Sequence, residues 1–474
     1  MTTGQARSPR QWLLRSIHPG DRAVAAGVAV LTVVFGGFHT GTHAFWLDEA
    51  FTAVSVQQPW SRLTHFLGKE AGMGPYYLSL WGWAHFGDSE WWLRLWSVVG
   101  GALALAAVYL LAVRFIERRV AIAATVLLFC NSAFMYYLTE LRAYSWVMCC
   151  AVVTIILFVR FRTEPTTKNA VLWGASVGLM LGLLVFTAGL VVAQAAFTWP
   201  LWKDRLARRR VVLAAGVALA VLSPFIPALA TSDQVNWIQP TTFHIFIVNI
   251  CGAIGGTRWT IVLGLGNVAL LASFRVKALR RPHDLALQVT GAGLVALPTM
   301  LLLISFVQPA FISRYLTSMA PLAMLGAIAG YLRVAAALPL SVTQRRAGIV
   351  LAAAVVVVGV LAGFSADISR PEDMRAPARL LSSHVAPGDA VVFNAELIDK
   401  SVRYYWTPVG TVFAQDLPGH VYSEATQPGF CHVWYYYRMS PAELLQWIGR
   451  SESDPNVVVE GFFGYSVAEV ELCP

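Results

Sequence analysis

The chain has 474 residues, of which 57% are hydrophobic and only 13% charged. A soluble domain carries about 25% charged residues, so an ordinary cytosolic globule is excluded. The net charge of +9 does not point to nucleic acid, because the basic residues lie in short clusters between apolar runs rather than in one patch.

In chain order, Met1 to Arg22 is polar and basic, and the first apolar run covers Ala23 to Phe38. Phe38-His39-Thr40 follows where a cleavable leader would show a small-residue site. The run therefore reads as an uncleaved anchor with its N-terminus in the cytoplasm. Next comes Phe45-Trp46-Leu47-Asp48-Glu49-Ala50-Phe51-Thr52. Two adjacent carboxylates between aromatic residues are costly near hydrocarbon unless paired or working. Asp48 and Glu49 are therefore the candidate catalytic centre.

Thr52 to Lys69 is mixed polar and aromatic and suits helices along the membrane interface. Pro75 to Phe86 is apolar but too short to span. Trp60, Trp81, Trp83, Trp91, Trp92 and Trp96 crowd this region, as amphipathic rings do at headgroup level. Further spans are expected at 92–113, 120–138, 143–161, 170–186, 188–202, 211–230, 258–274, 286–307, 316–334 and 347–364. With the first run this makes about eleven transmembrane helices. Arg114/Arg118/Arg119, Arg160/Arg162/Lys168, Lys203 to Arg210, Arg275 to Arg281 and Arg333/Arg345/Arg346 would then all be cytoplasmic, and the C-terminus outside. His244 to Gly256, apolar and glycine-rich, reads as interfacial.

From Ser365 the character changes to strands alternating with helices. Arg370 to His384 is helix-like, Ala390 to Phe393 and Cys431 to Tyr437 are strand-like, Pro441 to Ile448 is helical, and Asn456 to Phe463 reads as the final strand. The expected organisation is an all-α polytopic membrane domain over 1–364, with an extracytoplasmic loop at 41–74. A small extracytoplasmic α/β domain follows over 365–474. Cys431 and Cys473, in the long polar region, are a candidate disulfide if that region lies outside the cytoplasm.

No expected span carries an ionisable residue near its centre, which argues against an ion-coupled pump. Such residues gather instead at the outer ends of spans, at Asp48/Glu49, Glu140-Leu141-Arg142-Ala143-Tyr144 and Ser313-Arg314-Tyr315. A carboxylate beside an apolar wall can act as a general base, and arginines offer paired donors to a phosphate. Together these suit the displacement of a lipid phosphate from a sugar by an acceptor hydroxyl.

Five motifs carry a resemblance: Trp46-Leu47-Asp48-Glu49-Ala50, Gly87-Asp88-Ser89-Glu90-(x)3-Arg94-Leu95, Glu140-x-Arg142-x-Tyr144, Val235-Asn236-Trp237-Ile238 and Phe311-x-x-Arg314-Tyr315-(x)5-Pro321. Over roughly residues 20–400 the chain resembles the GT-C glycosyltransferases, in the branch of protein O-mannosyltransferases and aminoarabinose transferases. The resemblance implies a GT-C fold, a polyprenyl-phosphate sugar donor, and inverting transfer outside the cytoplasmic membrane. The acceptor would be a glycolipid, a glycan or a protein. It implies Asp48 as general base with Glu49 orienting it. Arg142 and Arg314 are implied at the donor phosphate, with Glu140, Tyr144 and Tyr315 around them. Mannose is the first expectation for the sugar and arabinose the second.

The chain departs from the pattern at Met73-Gly74-Pro75, where relatives carry His-Pro-Pro or Lys-Pro-Pro; Lys69 is the candidate replacement for the missing cation. Phe186-Thr187-Ala188-Gly189 replaces a Thr-His-Tyr pattern.

Blander readings stand beside these. Asp48 and Glu49 also suit the first turn of a solvated helix, and Glu140 with Arg142 also suits a structural ion pair. Arg314 also fits an arginine snorkelling to headgroups, Lys69 a surface lysine, and Trp237 an interface anchor rather than a sugar platform. His39, His43 and His65 show no metal-ligand spacing; no cofactor is indicated, and a divalent cation is left open. The alternative function is a transporter or flippase for a lipid-linked sugar.

Overall fold

The computed structural model describes residues 17–69, 72–227, 238–275, 284–338, 372–414 and 430–473. The described residues divide into two compact units. A helical unit draws on Met1–Gly37, Thr64–Ser79 and Leu95–Asp367, and a sheet unit on Phe38–Leu63, Leu80–Arg94 and Ile368–Pro474.

Six described helices are long and apolar enough to cross a bilayer: Pro19–His39, Glu90–Phe115, Tyr144–Thr163, Thr257–Arg275, Leu285–Ser305 and Met319–Ala337. A seventh arises if Arg118–Phe129 and Ser132–Leu138, bent by 66°, form one span. Asn131 makes that bend. Its side-chain oxygen accepts from the Phe134 amide at 3.1 Å and starts the second helix, while its amide donates to the Ile254 carbonyl at 2.7 Å.

The expected eleven spans are not all met by helix length. Thr167–Leu183 has 17 residues, at the short end of the bilayer-crossing range. The run 188–202 breaks into Ala188–Ala196 and a 3-10 turn, Trp199–Lys203, with Pro200 in its first turn. Of the expected span 211–230, residues 211–222 form the rest of the helix Arg205–Leu222, a 3-10 turn Ser223–Phe225 follows, and 228–230 lie outside the described residues. The last expected span, 347–364, lies outside the described residues. The short segments behave as expected, with helices at Gly74–Ala84 and Phe243–Ile254 of 11 and 12 residues.

Close approach of backbones holds the helical unit together. A Cβ added to Gly330 would lie 2.0 Å from the Gly266 carbonyl oxygen, and one at Gly174 would lie 2.2 Å from that of Ala214. Gly326/Gly330 and Gly174/Gly178 repeat the small-residue spacing that lets membrane helices pack without side chains between them. Some polar groups inside the bundle pair with one another. Trp173 donates to the Gln194 side-chain oxygen at 2.7 Å, and the Gln194 amide donates to Thr154 at 3.1 Å. Arg333, near the end of Met319–Ala337, is buried in an ion pair with Asp284 and donates to Ser273 at 3.0 Å.

The sheet unit holds five strands, β1 Ala390–Phe393, β2 Thr411–Ala414, β3 His432–Tyr437, β4 Val457–Gly461 and β5 Ser466–Glu471, in the order β2-β1-β3-β5-β4. β1 runs parallel to β2 and β3, while β5 runs antiparallel to β3 and β4. On one face Ala390, Val392, Val433, Tyr435, Tyr437, Ala468 and Val470 pack with Leu444 of the helix Pro441–Ile448. The other face presents Val391 beside Trp434 and Phe393 beside Tyr436.

The expected helix ending at His384 is Arg375–His384, and Asn456–Phe463 is not the last strand. Gly464, at φ 88°, turns the chain in a two-residue hairpin that closes β4 onto β5. β2 and the helix Glu396–Val402 are further elements beyond those expected from sequence. Cys431 and Cys473 are joined in a disulfide with Cα atoms 4.8 Å apart, tying the end of β5 to the start of β3 across 42 residues. A closed loop of that length contributes about 4 kcal/mol in the chain-entropy model.

Candidate active site

In the sheet unit, Trp46 sits at the N-cap of the helix Leu47–Val56, so Asp48 and Glu49 fall in its first turn. Glu49 is fully buried. Arg94, in the first turns of Glu90–Phe115, grips it with both arms, Nε to Oε1 at 2.9 Å and Nη2 to Oε2 at 2.5 Å. The remaining Arg94 donors go to the carbonyls of Thr40 at 2.9 Å, His43 at 2.6 Å and Ala44 at 3.0 Å. Its guanidinium also lies 4.7 Å from the centre of the Phe45 ring. A buried charge is tolerable when every lone pair and proton is engaged, and Arg94 meets that condition while clamping the loop before the helix.

Glu49 therefore anchors the turn, and its neighbour Asp48 is partly exposed. The Asp48 carbonyl accepts from the Thr52 hydroxyl at 2.7 Å, which closes the first turn on itself. The first-turn acids do suit the helix start, but the burial and pairing of Glu49 rule out two solvated loop residues.

A second layer of acid–base pairs lies behind this turn, in the same unit. Glu90 binds Arg375 and accepts from the Tyr405 hydroxyl, and Glu372 binds Arg438 and accepts from the Tyr465 hydroxyl at 2.8 Å. Burial first, and then the Glu90 carboxylate, push the Tyr405 phenol far above its ordinary range. Burial and Glu372 do the same to Tyr465. Both therefore remain hydroxyl donors at physiological pH.

In the helical unit, residues 139–143 form an irregular link between Ser132–Leu138 and Tyr144–Thr163. Glu140 is 2% exposed, and the Arg142 guanidinium donates to the Tyr77 hydroxyl at 3.3 Å. The Arg142 carbonyl accepts from Ser97, which also pairs with Tyr76 at 2.8 Å.

Arg314 and Tyr315 lie on the 3-10 turn Ser313–Leu316, where Tyr315 stacks on Phe186 at 4.2 Å. Tyr144 is buried against Tyr137, with ring centres 5.1 Å apart. The charges of Arg314, Arg142 and Glu140 all act on the Tyr144 phenol.

The Lys69 side chain and the whole of Trp237 lie outside the described residues. Among the described residues no group of three or more His, Cys, Asp or Glu is placed to hold a metal ion. Arg94, Glu90 and Glu372 were given no role from sequence. Arg94 did have a signal, a lone cation in the apolar stretch Trp91-Trp92-Leu93-Arg94-Leu95-Trp96. Glu372, 325 residues from its partner Leu47, had none.

Residues 70–228 match a protein-family model described as dolichyl-phosphate-mannose-protein mannosyltransferase. Among curated proteins no relative matches. Two solved structures are similar over nearly the full length of both chains. ArnT from Cupriavidus metallidurans bound to undecaprenyl phosphate is 14% identical, with a TM-score of 0.63, covering 96% of this chain and 98% of that one. The same protein in the apo state has the same identity and TM-score, with 94% and 98% covered. The chain thus shares the fold of these structures over nearly its whole length, and its residues 70–228 resemble that mannosyltransferase family.

Proposed function

We propose that the protein is an inverting glycosyltransferase taking a sugar from a polyprenyl-phosphate donor to an acceptor hydroxyl at the outer face of the cytoplasmic membrane. Its N-terminus would be cytoplasmic and its C-terminal domain extracytoplasmic. The observation that carries the reading is the division of labour in the acidic pair. Glu49 is held in the fork with Arg94, and Asp48, fixed by the same turn, is a partly exposed residue.

In this reaction the acceptor hydroxyl gives its proton to Asp48 as its oxygen bonds to the anomeric carbon. The bond from that carbon to the phosphate oxygen breaks, and the electron pair leaves on the polyprenyl phosphate. Arg142 and Arg314 take up the charge of the departing phosphate. Support for the lipid comes from the undecaprenyl phosphate bound to ArnT. Glu140, Tyr144 and Tyr315 shape the donor side, with Lys69 and Trp237 as further contacts. Mannose is the first sugar to test and arabinose the second. The acceptor class is a glycolipid, a cell-wall glycan or a secreted protein.

Loss of either arginine removes one charge-assisted contact of about 1.5–3 kcal/mol. Arg142→Ala and Arg314→Ala are each expected to weaken undecaprenyl-phosphate binding by about tenfold or more, read by titration of the purified protein. Wild-type affinity in both variants would contradict the assignment.

A further inference from the structure

The turn that presents Asp48 is held from far along the chain. Trp46, at the N-cap, offers no capping side chain, so the first amides of the helix need partners from elsewhere. The Leu47 amide donates to Glu372 Oε2 at 3.3 Å, and the Phe45 amide donates to the Tyr405 hydroxyl oxygen at 2.7 Å. The Phe45 carbonyl accepts from the Met374 amide at 3.3 Å, and the Leu47 carbonyl from the Ser401 hydroxyl at 3.3 Å. Four backbone groups in the three residues before Asp48 thus find partners in the C-terminal domain.

Those partners are themselves fixed. Tyr405 accepts from Phe45 and donates to Glu90, which Arg375 grips. Glu372 is pinned by Tyr465 and Arg438. The β4–β5 hairpin also presses on Glu372: the Phe463 carbonyl accepts from the Asp373 amide at 3.1 Å, and a Cβ added to Gly464 would lie 2.6 Å from Glu372 Cγ.

We propose that Glu372 and Tyr405 are positioning residues for Asp48, which makes the C-terminal domain part of the catalytic apparatus rather than an appended module. The inference rests on Asp48 being the base, as read above. A misplacement of about 1 Å in a catalytic group costs up to about 10²-fold in rate. Tyr405→Phe is expected to lower kcat about tenfold and Glu372→Ala about 100-fold. KM for undecaprenyl-phosphate-mannose should stay within about twofold, since neither residue is assigned to the donor.

Glu372→Gln keeps an oxygen for the Leu47 amide and should recover most of the rate. Amide hydrogen exchange should quicken at Phe45 in Tyr405→Phe and at Leu47 in Glu372→Ala. If Glu372→Ala fails to fold, Tyr405→Phe still isolates the hydroxyl, because its ring keeps its contacts with Phe45 and Tyr404. In an Asp48→Asn background, Tyr405→Phe should cost almost nothing more, since residues acting as a unit are not additive.

Wild-type kcat in both variants, or fully additive losses with Asp48→Asn, would overturn the positioning role. Failure of the wild type to transfer sugar would strike the glycosyltransferase reading instead. The exchange measurement then decides the hold by itself: quickened exchange supports it and unchanged exchange overturns it.

Discussion

Asp48→Asn is expected to lower the rate of sugar transfer by about 10²–10⁴-fold, the contribution of a positioned general base, with the fold and the affinity for undecaprenyl phosphate unchanged. The replacement is close to isosteric and leaves two contacts of the turn in place. Glu49 keeps its fork with Arg94, and the Thr52 hydroxyl still reaches the residue-48 carbonyl. What disappears is the capacity to accept a proton. Turnover and lipid binding measured on the same preparation separate this from misfolding, and a fully active variant removes Asp48 from the mechanism.

The second large effect concerns stability. Arg94→Ala leaves the Glu49 carboxylate buried without its guanidinium and strips a donor from three carbonyls, those of Thr40, His43 and Ala44. Removing one partner of a buried ion pair costs about 3–5 kcal/mol. The variant should therefore unfold at markedly lower temperature or denaturant in detergent, and lose transfer as the loop before Asp48 comes loose. Arg94→Lys should rescue little, because one ammonium cannot reproduce a planar fork that serves a carboxylate and three carbonyls. A melting profile equal to that of the wild type would show that the clamp does not hold the turn.

These two residues mark how far sequence alone could carry the account. Asp48 and Glu49 stood out because bare acids between Trp46 and Phe51 conflict with their surroundings. The polytopic class followed from the apolar runs, and β1 and β3 from their β-branched and aromatic residues. The span count was less legible because a hydropathy window cannot see Asn131 ending one helix and capping another, nor the turn at Pro200. β5, which reads Ser466-Val467-Ala468-Glu469-Val470-Glu471, was hidden by its acidic outward positions and by the hairpin at Gly464. The roles of Arg94, Glu372 and Tyr405 are matters of tertiary contact. Arg94 reaches carbonyls about 50 residues upstream, and Glu372 meets an amide 325 residues away. No local pattern encodes such a pairing.

Placing Glu49 under Arg94 also sharpens the chemistry. A pair of adjacent acids could have shared the base role, but one member engaged in a fork is a poor proton acceptor, since protonation would break two charge-assisted bonds. The division into one structural and one reactive carboxylate is what the pairing geometry favours.

The most direct test is to incubate the purified protein in detergent with labelled undecaprenyl-phosphate-mannose, then with the arabinose donor, and a mixture of acceptor glycolipids. The account predicts release of undecaprenyl phosphate with the sugar joined to acceptor in inverted configuration, in a system that has no second compartment. Intact donor in detergent, together with movement of that donor across sealed vesicles containing the protein, would contradict it.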